Sequence, residues 1–115
     1  MFRFEELEIW QQAISYAKGV YQIAAKFPKV EIFALSDQLR RAAVSVSNNI
    51  AEGSGGTTKD FSNYLDIAVK STLETVSCLR LAQELGYIDK SILDEMYSQA
   101  EVLIKRIRAF KKTLK

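Results

Sequence analysis

The sequence predicts an all-α protein, an antiparallel four-helix bundle with up-down-up-down topology. Three observations carry that reading. Apolar residues recur at alternating three- and four-residue steps through four long stretches. One proline and five glycines in 115 residues are too few for a turn-rich β protein. No interval alternates apolar and polar residues with the period of two that a half-buried strand needs.

The first helix is expected at about residues 5–26. Leu7, Trp10, Ile14, Ala17, Tyr21 and Ala24 form its apolar row. Trp10 belongs either to the core or to a subunit interface. Pro28 closes the stretch, because the residue before a proline is biased away from helical angles.

The second helix is expected at about residues 36–52, with Ser36 or Asp37 as its N-cap. Its apolar row is Leu35, Leu39, Ala42 or Ala43, Val46 and Ile50, and Gly53 is the expected left-handed closing residue. The run Gly53-Ser54-Gly55-Gly56 lacks the lysine and preceding strand of a phosphate-cradling loop, so it reads as a flexible surface link.

Thr57 with Asp60 is a capping-box pattern that opens a third helix at about residues 58–85. Tyr64, Ile67, Ser71, Glu74, Cys78, Leu81 and Leu85 lie on one row of it, and Gly86 with Tyr87 marks its end. The fourth helix, about residues 90–114, begins near Asp89 or Ser91 and carries Leu93, Met96, Ala100, Leu103, Ile107, Phe110 and Leu114 as a regular seam. A chain of this length forms one domain.

Composition narrows the chemistry. There is no histidine, which removes the commonest general base, zinc ligand and pH switch. The lone Cys78 and the absence of a secretory leader point to a cytoplasmic setting, and no apolar run approaches the ~20 residues that span a bilayer. No cofactor, metal, membrane or small-molecule substrate is expected.

Two groups of residues stand out. The first is a polar line, Gln38, Arg41, Ser45, Asn49 (or Asn48) and Glu52 on the second helix, facing Ser71 and Glu74 on the third. Arg41 opposite Glu74 would make a paired charge, and the network would fix helix register or seal a subunit interface. Glu52 with Glu74 is the only inviting pair for acid–base work, and that reading ranks last.

The second group is basic. The net charge is only +2, yet Lys105, Arg106, Arg108, Lys111, Lys112 and Lys115 crowd the last eleven positions with no acid after Glu101. They either solvate a helix end whose dipole favours cations or contact the phosphates of RNA or DNA.

Several segments together resemble the four-helix bundle proteins encoded in intervening sequences of bacterial 23S ribosomal RNA genes. They are Leu7-x-x-Trp10-x-x-Ala13, Phe27-Pro28-x-x-Glu31, Leu35-x-x-Gln38-Leu39-Arg40-Arg41-Ala42-Ala43-Val44-Ser45-Val46 and Asn49-Ile50-Ala51-Glu52-Gly53. Lys59-Asp60-Phe61, Tyr64-Leu65, Ile67-Ala68, Ser71-x-x-Glu74 and Leu85-Gly86-Tyr87 follow in order.

The family often has proline where this chain has Ser47, and a small residue where it has Asn48, which implies a less kinked second helix here. The resemblance implies a homo-oligomer, commonly a five-fold ring, with no established catalytic activity. A related bundle family that accompanies the reverse transcriptases of diversity-generating retroelements forms a basic pentameric barrel that associates with protein and nucleic acid. The expected function is therefore a non-enzymatic, self-assembling bundle, a homopentamer. The alternative is a nucleic-acid-binding accessory protein that uses the basic end of helix four.

Overall fold

A computed structural model describes residues 1–115. Four helices account for most of the chain: α1 (Glu8–Ala24), α2 (Leu35–Ser54), α3 (Thr58–Glu84) and α4 (Lys90–Lys112). Short 3-10 turns precede α1 and α2. There is no strand, and no helix is long and apolar enough to cross a membrane.

At ~1.5 Å per residue, α3 alone is ~40 Å long. The whole molecule measures 44 × 24 × 22 Å, so each helix must fold back on the last. The contacts agree. Arg3, ahead of α1, donates to the Ser54 carbonyl at the end of α2, while Arg40 near the start of α2 lies over the Tyr21 ring near the end of α1. Ser45 meets Ser71 midway along α2 and α3, and Gly53 meets Phe61 and Tyr64 at the α2–α3 turn. Lys111, at the end of α4, pairs with Asp66 near the start of α3.

Consecutive helices are therefore neighbours, and α4 closes back on α1. The α1–α4 seam is the most sparsely packed. Open hollows of about 560 and 310 Å³ run along it, lined by Gln11, Ser15 and Lys18 from α1 and Gln99 from α4. The buried Gln12 Oε1 beside them has no hydrogen-bond partner.

One apolar core fills the bundle. On α2 and α4 it is the predicted seam: Leu35, Leu39, Ala42, Ala43, Val46 and Ile50 are buried, as are Leu93, Met96, Ala100, Leu103 and Ile107. On α1 and α3 the seam lies one row over. Ile9, Ala13, Tyr16, Ala17, Val20 and Ala24 are buried on α1, so the predicted Ala17 and Ala24 do face the core, while Tyr21 is exposed and Trp10 is half-buried under Phe4.

On α3 the buried row is Phe61, Leu65, Ala68, Thr72, Thr75, Leu79 and Ala82. Of the row expected to face the core, Ser71 and Cys78 are buried, but Ile67, Glu74, Leu81 and Leu85 are exposed. Burying the Glu74 charge without a partner would cost several kcal/mol, whereas Thr72 and Thr75 satisfy themselves on their own helix. Thr72 Oγ1 donates to the Ala68 carbonyl (2.9 Å) and Thr75 Oγ1 to the Thr72 carbonyl (2.6 Å). Tyr16 Oη, reaching across the bundle from α1, then donates to Thr75 Oγ1 (2.6 Å). Burial pushes the Tyr16 phenol above its usual range, and the bond to Thr75 only partly opposes it.

The helix ends repeat the predictions in part. Thr57 and Asp60 form the reciprocal capping box, each amide donating to the other side chain at 3.1 Å. Asp89 caps α4, accepting from the Ile92 amide. Gly86 takes φ +80°, and the Tyr87 amide donates to the Ala82 carbonyl six-to-one, which closes α3.

Two expectations fail. Neither Ser36 nor Asp37 caps α2. Helix α2 starts one residue earlier, Ser36 is buried inside it, and the Glu31 carboxylate accepts the Leu35 amide instead. Gly53 is not a left-handed stop either: α2 runs unbroken through it to Ser54. Its missing Cβ serves close approach, because a methyl there would lie 2.7 Å from Tyr64 Cβ and 2.9 Å from Phe61 Cδ1.

Gly53→Ala should therefore cost ~1–3 kcal/mol in denaturant unfolding, as overpacked sites do. Gly55→Ala, whose methyl meets only the Glu52 carbonyl at 3.6 Å, should be neutral or slightly stabilising.

The Tyr16–Thr75 bond gives an asymmetric expectation. Thr75→Val strands a buried phenol and should cost ~1–3 kcal/mol, more than Tyr16→Phe, and should be near neutral in a Tyr16→Phe background. Because the folded phenol titrates above the unfolded value of 10.0, its stability contribution is whole below pH 10 and is lost as pH rises beyond it. Tyr16→Phe should flatten that alkaline decline.

Candidate functional site on the outer face of the second and third helices

The polar line does assemble, but on the outside of the bundle. Asn49 Nδ2 donates both to the Ser45 carbonyl (2.7 Å) and to Ser45 Oγ (2.9 Å), and Ser45 Oγ meets Ser71 Oγ at 2.9 Å. Ser71 is buried, Ser45 and Asn49 are half-buried, and Gln38, Arg41, Glu52 and Glu74 are exposed. The serines and Asn49 thus close the α2–α3 crevice, while the charged members stand on its two lips.

The predicted Arg41–Glu74 pair is not made within the chain. The Arg41 side chain is 80% exposed, and its nearest carboxylate is Asp37 at 3.8 Å, one turn back on α2. Glu74 forms no salt bridge. The reason is rotation. Arg41 stands two residues from buried Leu39 and Glu74 two from buried Thr72, a turn of ~200° in each case, so both point away from the core.

Glu52 and Glu74 do not form an acid pair. Glu52 lies eleven residues beyond Arg41 on α2, ~16 Å along the axis from the level of Glu74. Cys78, beside Glu74 on α3, is buried, and burial together with that carboxylate pushes its thiol up, away from the reactive thiolate.

Around this polar line the face is apolar. Ile67 is 44% exposed, Leu81 49% and Leu85 50%, all on the row that holds Glu74. At the same end as Leu85, the loop before α2 holds out Phe33, 95% exposed. That loop is fixed to the α3–α4 turn, since Tyr87 Oη donates to Glu31 Oε2 (2.8 Å) and Phe27 packs on the Tyr87 ring. On the other lip, Tyr21, Val44, Ser45, Asn48, Asn49, Arg41 and Glu52 line an open hollow of about 530 Å³.

The basic end lies on a different face. Lys105, Arg108 and Lys112 fall on one exposed stripe of α4, and Lys115 follows three residues past the helix end. Arg106 is rotated off the stripe by roughly 100°. None of these five makes a salt bridge. Lys111 is different: its Nζ is held by Asp66 Oδ1 at 2.7 Å, so it ties α4 to α3. The fold adds one cation that the sequence reading omitted, Lys59, which lines a hollow with Lys115. The antiparallel return of α4 to the start of α3 was the available signal.

A family model described as "23S rRNA-intervening sequence protein" matches residues 5–109. No curated protein matches the chain. Among solved structures, the fold is similar to that of a protein of unknown function from the S23 ribosomal protein family of Bacteroides thetaiotaomicron VPI-5482, solved at 1.70 Å. The TM-score is 0.79 at 23% identity, over 90% of this chain and 98% of that one.

Proposed function

The chain belongs to the 23S rRNA-intervening sequence protein family, and from that premise we propose that it works as a self-assembling, non-enzymatic bundle rather than as a catalyst. The observation that carries this is the exposed apolar row of α3. Ile67, Leu81 and Leu85 leave half of three large side chains in water beside a polar line that is already hydrogen-bonded to itself. Burying such a side chain fully is worth ~1.5–3 kcal/mol, and Leu81 with Leu85, one turn apart, makes a small apolar patch of the kind that interaction surfaces use. A cytoplasmic setting suits the lone buried thiol.

Light scattering after gel filtration tests the reading. The expected mass is a fixed multiple of 13.0 kDa, and the five-fold ring implied by the family resemblance would weigh five times that. A chain that stays monomeric at micromolar concentration overturns the proposal.

A second reading, nucleic-acid binding at the basic end, is favoured by Lys59 lying beside Lys115, just beyond the α4 stripe of Lys105, Arg108 and Lys112. No aromatic platform accompanies these cations, so contacts would go to phosphates and carry little sequence preference. Fluorescence anisotropy with labelled RNA and DNA oligonucleotides should show binding that falls steeply with salt. Arg108→Glu with Lys112→Glu should weaken it at least tenfold. Binding that ignores both salt and these reversals removes the reading. Lys111→Glu is the poorer probe, because it also breaks the tie to Asp66.

A further inference from the structure

We infer that Arg41 finds its counter-charge in a second copy of this chain, with the Arg41 guanidinium of one subunit against the Glu74 carboxylate of the next. The inference rests on the self-assembly reading and gives that assembly a specific contact, the outward row of α2 seated on the outward row of α3.

Register supplies the first argument. The Ser45–Ser71 bond pins α2 against α3 at one level. Arg41 lies four residues before Ser45, and Glu74 lies three residues after Ser71 on the antiparallel helix. Those steps are ~6 and ~4.5 Å in the same direction, so the two charges share a level to within ~1.5 Å. They nevertheless do not pair with each other within the chain, because each points out from its own helix, and Arg41 reaches only Asp37 on α2.

Symmetry supplies the second. In a closed assembly whose axis runs along the bundle, all copies sit at the same height. Residues level within one chain are then level between copies, whether two copies or a larger ring close. The outward row of α2 brought beside a neighbour's α3 therefore places Arg41 at Glu74 with no rise.

Charge and surface character supply the third. The α2–α3 face carries Asp37, Glu52 and Glu74 together with Arg41 and, one turn before Glu74, Lys70, so it holds both signs of charge. Its complement is a face of mixed charge with apolar neighbours. This chain offers one at the matching level. Ile67, Leu81 and Leu85 supply apolar area around the charge. Ser45 and Asn49 opposite them are small and already hydrogen-bonded, so little is lost when water leaves. Asp37, at 3.8 Å, is the competing partner of Arg41. A single exposed contact one turn away on the same helix is weak enough to be exchanged for a desolvated one.

Charge reversal tests the pairing. Both residues are exposed, so Arg41→Glu and Glu74→Arg should keep the helical circular dichroism of the parent chain. At a concentration where the parent is assembled, each single variant should fall to the monomer mass in light scattering. The double variant alone should regain the parent mass. An equimolar mixture of the two single variants should form mixed assemblies heavier than the monomer, although an odd ring cannot close by strict alternation of the two. Single variants that keep the parent mass overturn the inference. So does a mixture that stays wholly monomeric while the double variant recovers, which would place the pair within one chain, and so does failure of both to rise above the monomer mass. A parent chain that is itself monomeric removes the self-assembly reading instead, so the two failures are told apart.

Discussion

The carboxylate of Glu74 sets the rotation of α3, and much of the bundle follows from it. α3 carries two adjacent rows at helical spacing, either of which is apolar enough to face a core. A lone charge in the interior would cost several kcal/mol, while threonine hydroxyls can return to the carbonyls of their own helix. The row with Thr72 and Thr75 therefore turns inward. That rotation gives Tyr16 its buried acceptor and points Ser71 at Ser45. It also brings Phe61 against the bare backbone of Gly53. The Ile67, Leu81 and Leu85 side chains are left in water as the other half of the same choice.

The fold class, the number of helices and the seams of α2 and α4 were legible because only one row on each of those helices is continuously apolar. On α1 and α3 two rows compete, and periodicity alone cannot choose between rows one residue apart. The missing rule on α3 was energetic: a row with an unpaired glutamate loses to a row with two threonines. Gly53 was misread for a related reason. Glycine relieves either a left-handed backbone or a crowded neighbour, and only the packing of Phe61 and Tyr64 on α2 tells which. The residues of the candidate site were legible as a row, and three of them bond as a network. Where that row points was not, because it depends on the rotation of α3.

The fold sorts its surface chemically. The α2–α3 face combines exposed leucine and isoleucine with charges of both signs, whereas unpaired bases gather where α4 returns to the start of α3. In the proposed readings self-association uses one face and nucleic-acid binding the other, so the two need not compete for the same residues. The related structure from Bacteroides thetaiotaomicron shares the fold at 23% identity. The segment from Gln38 to Gly53, which carries much of the family resemblance, supplies the α2 half of the outer face and the close approach at its end.

The order in which the helices neighbour one another also bears on how quickly the chain folds. Each helix packs on the one before it across a short link, so most contacts join residues close in sequence and cost little loop entropy to form. The closure of α4 onto α1 is the exception, since it joins the two ends of the chain. It is also the sparsest seam, with open hollows and the unpartnered Gln12 oxygen along it. The seam with the longest loop to close is thus also the most sparsely packed, and α4 is held chiefly by its contact with α3.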